Sequence, residues 1–165
     1  MKLLVTGHGK HGKGEVADIL WVHFGLYCMD SSWFACKKAV YPYMMHLYDS
    51  VKECHDDRRK HREFFFQCIQ KYNTPDRSRL AREILQEHDV YVGMRCKMEL
   101  EASRHLFGKT IWIDASEREE AESENSMTIT KEMCDIVIPN NGNKTALLEE
   151  VYATMASIHK VIHTR

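Results

Sequence analysis

Gly7-His8-Gly9-Lys10-His11-Gly12-Lys13 puts two glycines five positions apart, with a lysine directly after the second. Glycines so placed let backbone N–H groups turn inward around an anion. A helix opening at the lysine adds its positive end to the same point. The Lys13 ammonium can then neutralise charge on a phosphoryl group in transfer. The next position, where a Ser or Thr hydroxyl commonly meets Mg²⁺, is Gly14, and Glu15 follows. Gly9, Lys10, His11, Gly12, Lys13, Gly14 and Glu15 are therefore the expected lining of a polyphosphate site. His11 is expected to face solvent.

Other residues have types suited to an anionic or hydroxylated partner. Arg58-Arg59-Lys60-His61-Arg62 is a basic run in which Arg58 and Arg62 stand one helical turn apart. Guanidinium groups offer the bidentate geometry that a monophosphate takes. The alternative is a solvated helix face, with Asp56 and Asp57 favouring the helix start. Asp30-Ser31-Ser32 can orient a hydroxyl or a metal-bound water, or Ser31 caps a helix. Asp114 can hold Mg²⁺ through water. Arg118 lies among Glu117, Glu119, Glu120, Glu122 and Glu124. That run reads as a solvated loop, or as a lid that keeps water from a transferring phosphoryl group.

These residues need elements to hold them. Lys2–Thr6 is a β-prone run entering the glycine turn, and Val16, Ile19, Leu20 and Phe24 follow at helical spacing up to Gly25. Leu26–Met29 suits a second strand. The aromatic-rich residues 31–50, broken at Pro42, suit one or two short helices. Asp56–Tyr72 reads as one helix. Thr74 is the expected cap of the next, with Pro75 in its first turn and Leu80, Ala81, Ile84 and Leu85 along one face. Asp89–Gly93, Thr110–Asp114 and Asp135–Ile138 complete five strands, with a helix over Lys97–Leu106. Leu147, Leu148, Val151, Met155, Ile158 and Ile162 form the apolar stripe of a closing helix. The alternation gives an α/β fold with a parallel sheet. Ligands bind at the carboxyl ends of such strands, where the glycine loop, Asp30, Met94-Arg95, Asp114 and Asn140-Asn141-Gly142 collect. No domain boundary is visible across 1–165.

Composition narrows the function. Lys plus Arg total 23 against 24 Asp plus Glu, so no global positive field supports nucleic-acid binding through counterion release. Apolar residues at 44% and charged residues at 28% are those of a globular chain. No apolar run approaches the ~18 residues of a membrane span. The six cysteines include no C-x-x-C pair, so free thiols in a reducing cytoplasm are expected. The aromatic content of 31–48 leaves a homodimer open.

In order along the chain, four stretches carry a family resemblance. They are the glycine loop, Val92-Gly93-Met94-Arg95 with Glu99 behind it, Trp112-Ile113-Asp114-Ala115-Ser116 leading to Arg118, and Asp135-x-Val137-Ile138-x-Asn140-Asn141-Gly142. Together they resemble P-loop nucleoside monophosphate kinases, most of all the bacteriophage deoxynucleoside monophosphate kinase type. Dephospho-coenzyme A kinases are similar in the same places, and adenylate kinases also carry Gly directly after the lysine. The resemblance implies a three-layer fold whose five-stranded parallel sheet has the order 2-3-1-4-5. It implies an acceptor-binding helical region at about 30–87 and a short lid at about 115–130.

The implied activity is transfer from ATP, with Mg²⁺, to a (deoxy)nucleoside monophosphate, giving the diphosphate in the cytoplasm (the host's, if viral). Kinases of another small acceptor, such as dephospho-coenzyme A, are the alternative, as is a nucleotide-binding module without catalysis. By the same resemblance, Lys13 and the loop backbone hold the donor phosphates, Arg95 grips the acceptor phosphate and Arg118 reaches from the lid. Asn140, Asn141 and Gly142 rim the adenine. Asp30, Ser31, Ser32, Arg58, Arg62 and Glu99 face the acceptor.

Overall fold

Strands buried on both faces read as continuous apolar runs, and the first strand shows why. In the computed structural model, which describes residues 1–124 and 126–163, Leu3, Leu4 and Val5 of β1 (Leu3–Thr6) are each 0% exposed. β1 is the centre of a five-stranded, all-parallel sheet with β2 (Cys28–Asp30), β3 (Val90–Val92), β4 (Lys109–Asp114) and β5 (Ile136–Pro139), in the order β2-β3-β1-β4-β5. Leu3 sits opposite Val90 on one side and Lys109 on the other, so β1, β3 and β4 start level.

The side-chain period of two sorts the strands into two layers. Leu3, Val5, Val90, Val92, Ile111 and Ile113 pack against α1 (Lys13–Phe24) and the long C-terminal helix over Lys144–His163. Val16 and Leu20 of the first, and Leu147, Val151, Met155 and Ile158 of the second, are the buried positions; the side chain of Ile162 lies outside the described residues. Leu4, Tyr91 and Trp112 point the other way. They meet Leu80, Ala81, Ile84 and Leu85, together with Met127 and Ile129 from the end of the expected lid.

A third cluster stands off the sheet. Cys36, Ala39, Val40, Met44, Cys54 and Phe65 close the helical region after β2. It contains α2 (Ser31–Ala35), a π-helical turn Cys36–Val40, α3 (Tyr41–Met44), α4 (Val51–Asp56), a 3₁₀ turn Arg58–His61 and α5 (Arg62–Tyr72). The single helix expected over Asp56–Tyr72 is therefore broken. Asp57 leaves helical geometry (φ −88°, ψ 2°) where its carboxylate accepts the Tyr48 hydroxyl at 2.7 Å and pairs with Lys60 at 2.5 Å.

The next helix, α6 (Arg79–Glu87), also starts later than its sequence suggests. Thr74 turns back to give its hydroxyl to the Gln70 carbonyl at 2.7 Å, and closes α5 instead of opening α6. Asp76 starts the new turn by accepting the Ser78 N–H at 2.9 Å. α7 (Lys97–Ser103) follows β3, and the C-terminal helix is α8. Among the described residues, no helix is long and apolar enough to cross a membrane.

Candidate active site

The loop after β1 takes its shape from the backbone. Gly7 (φ 143°) passes so close to β4 that a Cβ there would lie 2.6 Å from the Ile113 carbonyl oxygen. Lys10 (φ 64°) and Gly12 (φ 95°) are both left-handed, which turns the loop round into α1. No side chain caps α1, so its first N–H groups stay open to an anion. Gly14 is exposed, and a Cβ on it would meet nothing within 4 Å.

Two residues brace the loop from behind. Asn140, just past β5, is 4% exposed; it gives its side-chain N–H to the His11 carbonyl at 2.9 Å and its own N–H to the Asp114 carbonyl at 2.7 Å. His11 is 1% exposed, against the expectation of a solvent-facing ring. Its Nδ1 accepts the Ala115 N–H at 3.0 Å, which ties the loop to the end of β4 and fixes the proton on Nε2. That Nε2 is buried without a hydrogen-bond partner in the structure. His8 covers the other side: its ring stands edge-on to Trp112, and burial, then neighbouring His11, lower its pKa.

The Lys13 ammonium folds over the loop, donating to the Gly7 carbonyl at 2.8 Å and the His8 carbonyl at 2.5 Å. Burial, with Arg95 repulsion second, pulls its pKa down to about 8, while Glu122 and Asp30 act the other way. Arg95, two residues past Gly93 at the end of β3, therefore lies within electrostatic reach of Lys13. Its guanidinium donates to Glu122 at 2.5 Å, and the other oxygen of the same carboxylate accepts the Gly9 N–H at 2.8 Å. The loop thus already holds one carboxylate oxygen on its Gly9 N–H.

The side expected to take the acceptor is built from side-chain bonds. Asp30, not Ser31, is the cap of α2: one oxygen accepts the Ser32 N–H at 2.7 Å, the Trp33 N–H at 3.1 Å and the Ser32 hydroxyl at 2.6 Å. The second oxygen takes no hydrogen bond among the described residues. His55 Nε2 lies 2.9 Å from the Ser32 oxygen, and a hydroxyl committed to Asp30 can only accept from it. Burial, then Arg58, lowers the His55 pKa.

Arg58 gives a hydrogen bond to the His55 carbonyl at 2.8 Å, and Arg62 is exposed one turn on. Ser31 is 7% exposed, and Glu99, also 7% exposed, accepts the Asn73 side-chain N–H at 2.8 Å. Burial, opposed by that hydrogen bond and Arg77, raises the Glu99 pKa. Arg118 is engaged at the rim, where its Nε donates to the Asn140 carbonyl at 2.7 Å. Asn141 accepts the Glu117 N–H at 3.2 Å, and Gly142 is exposed beside it.

Sequence reasoning brought the loop, Lys13, Arg95 and Asp30 to one end of the sheet, where they are found. It missed Glu122 and His55. Nothing in the sequence separates Glu122 from the four glutamates around it, and His55 needs a tertiary contact across 23 positions to reach Ser32.

No protein-family model matches the chain, and no curated protein matches it. Solved structures do match along nearly its whole length. TT1252 from Thermus thermophilus is 15% identical, with 95% of this chain and 96% of that one covered and a TM-score of 0.58. A dephospho-CoA kinase from Campylobacter jejuni is 16% identical over 97% and 98%, with a TM-score of 0.56. A shikimate kinase from Aquifex aeolicus is 12% identical over 94% and 96%, with a TM-score of 0.54. At these identities the likeness is one of fold. The strand order, the loop after β1 and the end-to-end match together give this chain the fold of the P-loop kinases.

Proposed function

We propose that the chain transfers the terminal phosphoryl group of ATP to a small acceptor, and that the acceptor is a nucleoside monophosphate, in its deoxy form. The observation that carries this is the meeting of the Gly9 N–H and the Arg95 guanidinium on one carboxylate, with Lys13 close by. One donor belongs to the loop that suits donor phosphates. The other stands at the end of the neighbouring strand, a phosphate's width away from the first. A phosphorylated acceptor held by Arg95 would present its own phosphate oxygen to the loop. Positioning and charge neutralisation then carry the reaction without a covalent intermediate. Mg²⁺ would be held mainly by the donor phosphates, with Asp30 and Asp114 as the proposed carboxylates for its waters. Asn140, Asn141 and Gly142 are the rim proposed for adenine.

One observation favours a second reading, a hydroxyl acceptor. The free oxygen of Asp30 lies within electrostatic reach of Lys13 and could take a hydroxyl proton. The solved dephospho-CoA kinase and shikimate kinase carry hydroxyl-acceptor names and this fold.

A coupled assay for ADP release separates these readings. It uses ribo- and deoxynucleoside monophosphates, dephospho-coenzyme A and shikimate, with MgATP. Turnover with one nucleoside monophosphate, reduced about 1,000-fold or more by Lys13→Ala, is the expected result. Turnover only with a hydroxyl acceptor transfers the role to Asp30. ATP binding with no product from any acceptor leaves a nucleotide-binding module.

A further inference from the structure

Glu122 sits where the loop should hold something else. Its carboxylate takes the Gly9 N–H at 2.8 Å on one oxygen and the Arg95 guanidinium at 2.5 Å on the other. Its own N–H donates to His8 Nδ1 at 3.2 Å, so backbone and side chain together clasp the loop. A Cβ on Gly9 would come within 3.3 Å of this carboxyl group, a tight contact that the glycine avoids. Burial would raise the Glu122 pKa, but Arg95, the Gly9 N–H and Lys13 hold it below the usual range, and the group bound to the loop is the anion.

The segment that brings Glu122 here is tethered on its far side. Met127 and Ile129 are buried in the sheet's core at 4% and 1% exposure, and the Thr128 N–H donates to the Arg95 carbonyl at 3.0 Å. The acidic stretch before them contributes little apolar surface, and Glu122 itself is partly exposed. Releasing Glu122 therefore breaks a few polar contacts and no core packing.

We propose that Glu122 is a built-in competitor for the polyphosphate site, a lid carboxylate that occupies the donors of the phosphate loop and Arg95 until a polyphosphate displaces it. The proposal rests on the reading of the loop as a polyphosphate site, but not on any particular acceptor or on turnover. A single carboxylate is a weaker partner for these donors than a polyphosphate of several charges, so the exchange favours ligand. The apparent affinity of the free protein is nevertheless reduced by the fraction of molecules in which Glu122 holds the loop. Because one carboxylate bridges the loop and Arg95, an anion that takes either group loosens the other. Donor and acceptor anions therefore help each other bind, and the effect is reciprocal.

The test is calorimetric titration of the 165-residue chain and its Glu122→Ala and Glu122→Gln variants with MgATP, inorganic tripolyphosphate and adenosine. Glu122→Ala is expected to bind ATP and tripolyphosphate about tenfold more tightly than the unaltered chain, with adenosine unchanged. Glu122→Gln, which keeps the shape and loses the charge, should fall between. In an Arg95→Ala background the gain from Glu122→Ala should shrink, since part of what Glu122 occupies is gone. Equal or weaker polyphosphate binding by both Glu122 variants overturns the proposal. Absence of ATP and tripolyphosphate binding in all variants overturns it together with the reading of the loop. Tighter binding in Glu122→Ala with no turnover on any acceptor sustains it while removing the phosphoryl-transfer reading alone.

Discussion

The two halves of the candidate site are held by different means. On the side proposed for the donor, backbone does the positioning. Gly7, Lys10 and Gly12 hold left-handed or positive-φ geometry, β1 is buried from end to end, and Asn140 and His11 lock the loop to the sheet through main-chain groups. On the side proposed for the acceptor, side chains position one another across short helices. Asp30 holds Ser32, Ser32 meets His55, and Asp57 holds Tyr48 and Lys60. Backbone held by a central parallel sheet has few alternatives. A chain of side-chain bonds on four- to six-residue helices can be rearranged by a few substitutions. On the proposed function, such a division would let one phosphate-handling end serve different acceptors.

The most disruptive way to test the donor side is Gly7→Ala. The new Cβ would meet the Ile113 carbonyl at 2.6 Å, on backbone in the middle of the sheet, with φ at 143°. Neither partner can yield cheaply, so urea unfolding should show a loss of about 3 kcal/mol. A change under about 0.5 kcal/mol would mean that this loop is as adaptable as the acceptor side.

Electrostatics sharpen the same contrast at a smaller scale. Lys13 titrates at about 8 in the folded chain, far below a free lysine, because it is buried and faces Arg95. Below that pH the ammonium is present for polyphosphate. Above it the empty loop loses the proton, so binding must take one up. ATP affinity should therefore fall by up to about tenfold per pH unit above 8. The same shift acts oppositely on the fold. Between about 8 and the unfolded lysine value the unfolded chain binds more protons, so this group's contribution to stability improves as pH rises. Titration calorimetry from pH 7 to about 9.5, where other lysines stay charged, reads the first effect. Lys13→Arg should flatten it. A flat profile in the unaltered chain would show that the loop does not depend on that proton.

The legibility of the sequence divides along the same line. The strands and the loop could be expected because burial on both faces and positive φ leave signatures in residue type: the run Leu3-Leu4-Val5 and the glycines at 7 and 12. The strand order followed only from the family resemblance. The closing helix was legible through its stripe, from Leu147 to Ile158. The break at Asp57 was not, because it depends on the Tyr48 hydroxyl arriving from nine residues away. Thr74 and Pro75 fit a helix start on local rules, and a competing bond to Gln70 overrode them. His11 looked like loop surface because only the end of β4, more than a hundred residues later, buries it. Glu122 had no local signature, since its value comes from facing Gly9 and Arg95.

The smallest predicted effect asks whether the acceptor region is also energetically separate. Ser50 caps α4, its hydroxyl accepting the Glu53 N–H at 3.2 Å, while the Glu53 carboxylate returns to the Asp49 N–H at 3.1 Å. Removing such a cap typically costs about 1 kcal/mol, and Ser50→Ala should show that loss where α4 is the first part to open. The buried residue of α4, Cys54, packs in the small cluster with Cys36 and Phe65, apart from the two layers on the sheet. Amide hydrogen exchange should therefore quicken over 51–56 and the neighbouring turn at 36–40, with β1 and β3 unchanged, because a local opening need not involve the sheet. Equal acceleration in β1 would mean that the third cluster and the sheet unfold together. The difference between the two sides would then be one of geometry alone, and a change of acceptor specificity could not be made in the helical region without drawing on the stability of the whole fold.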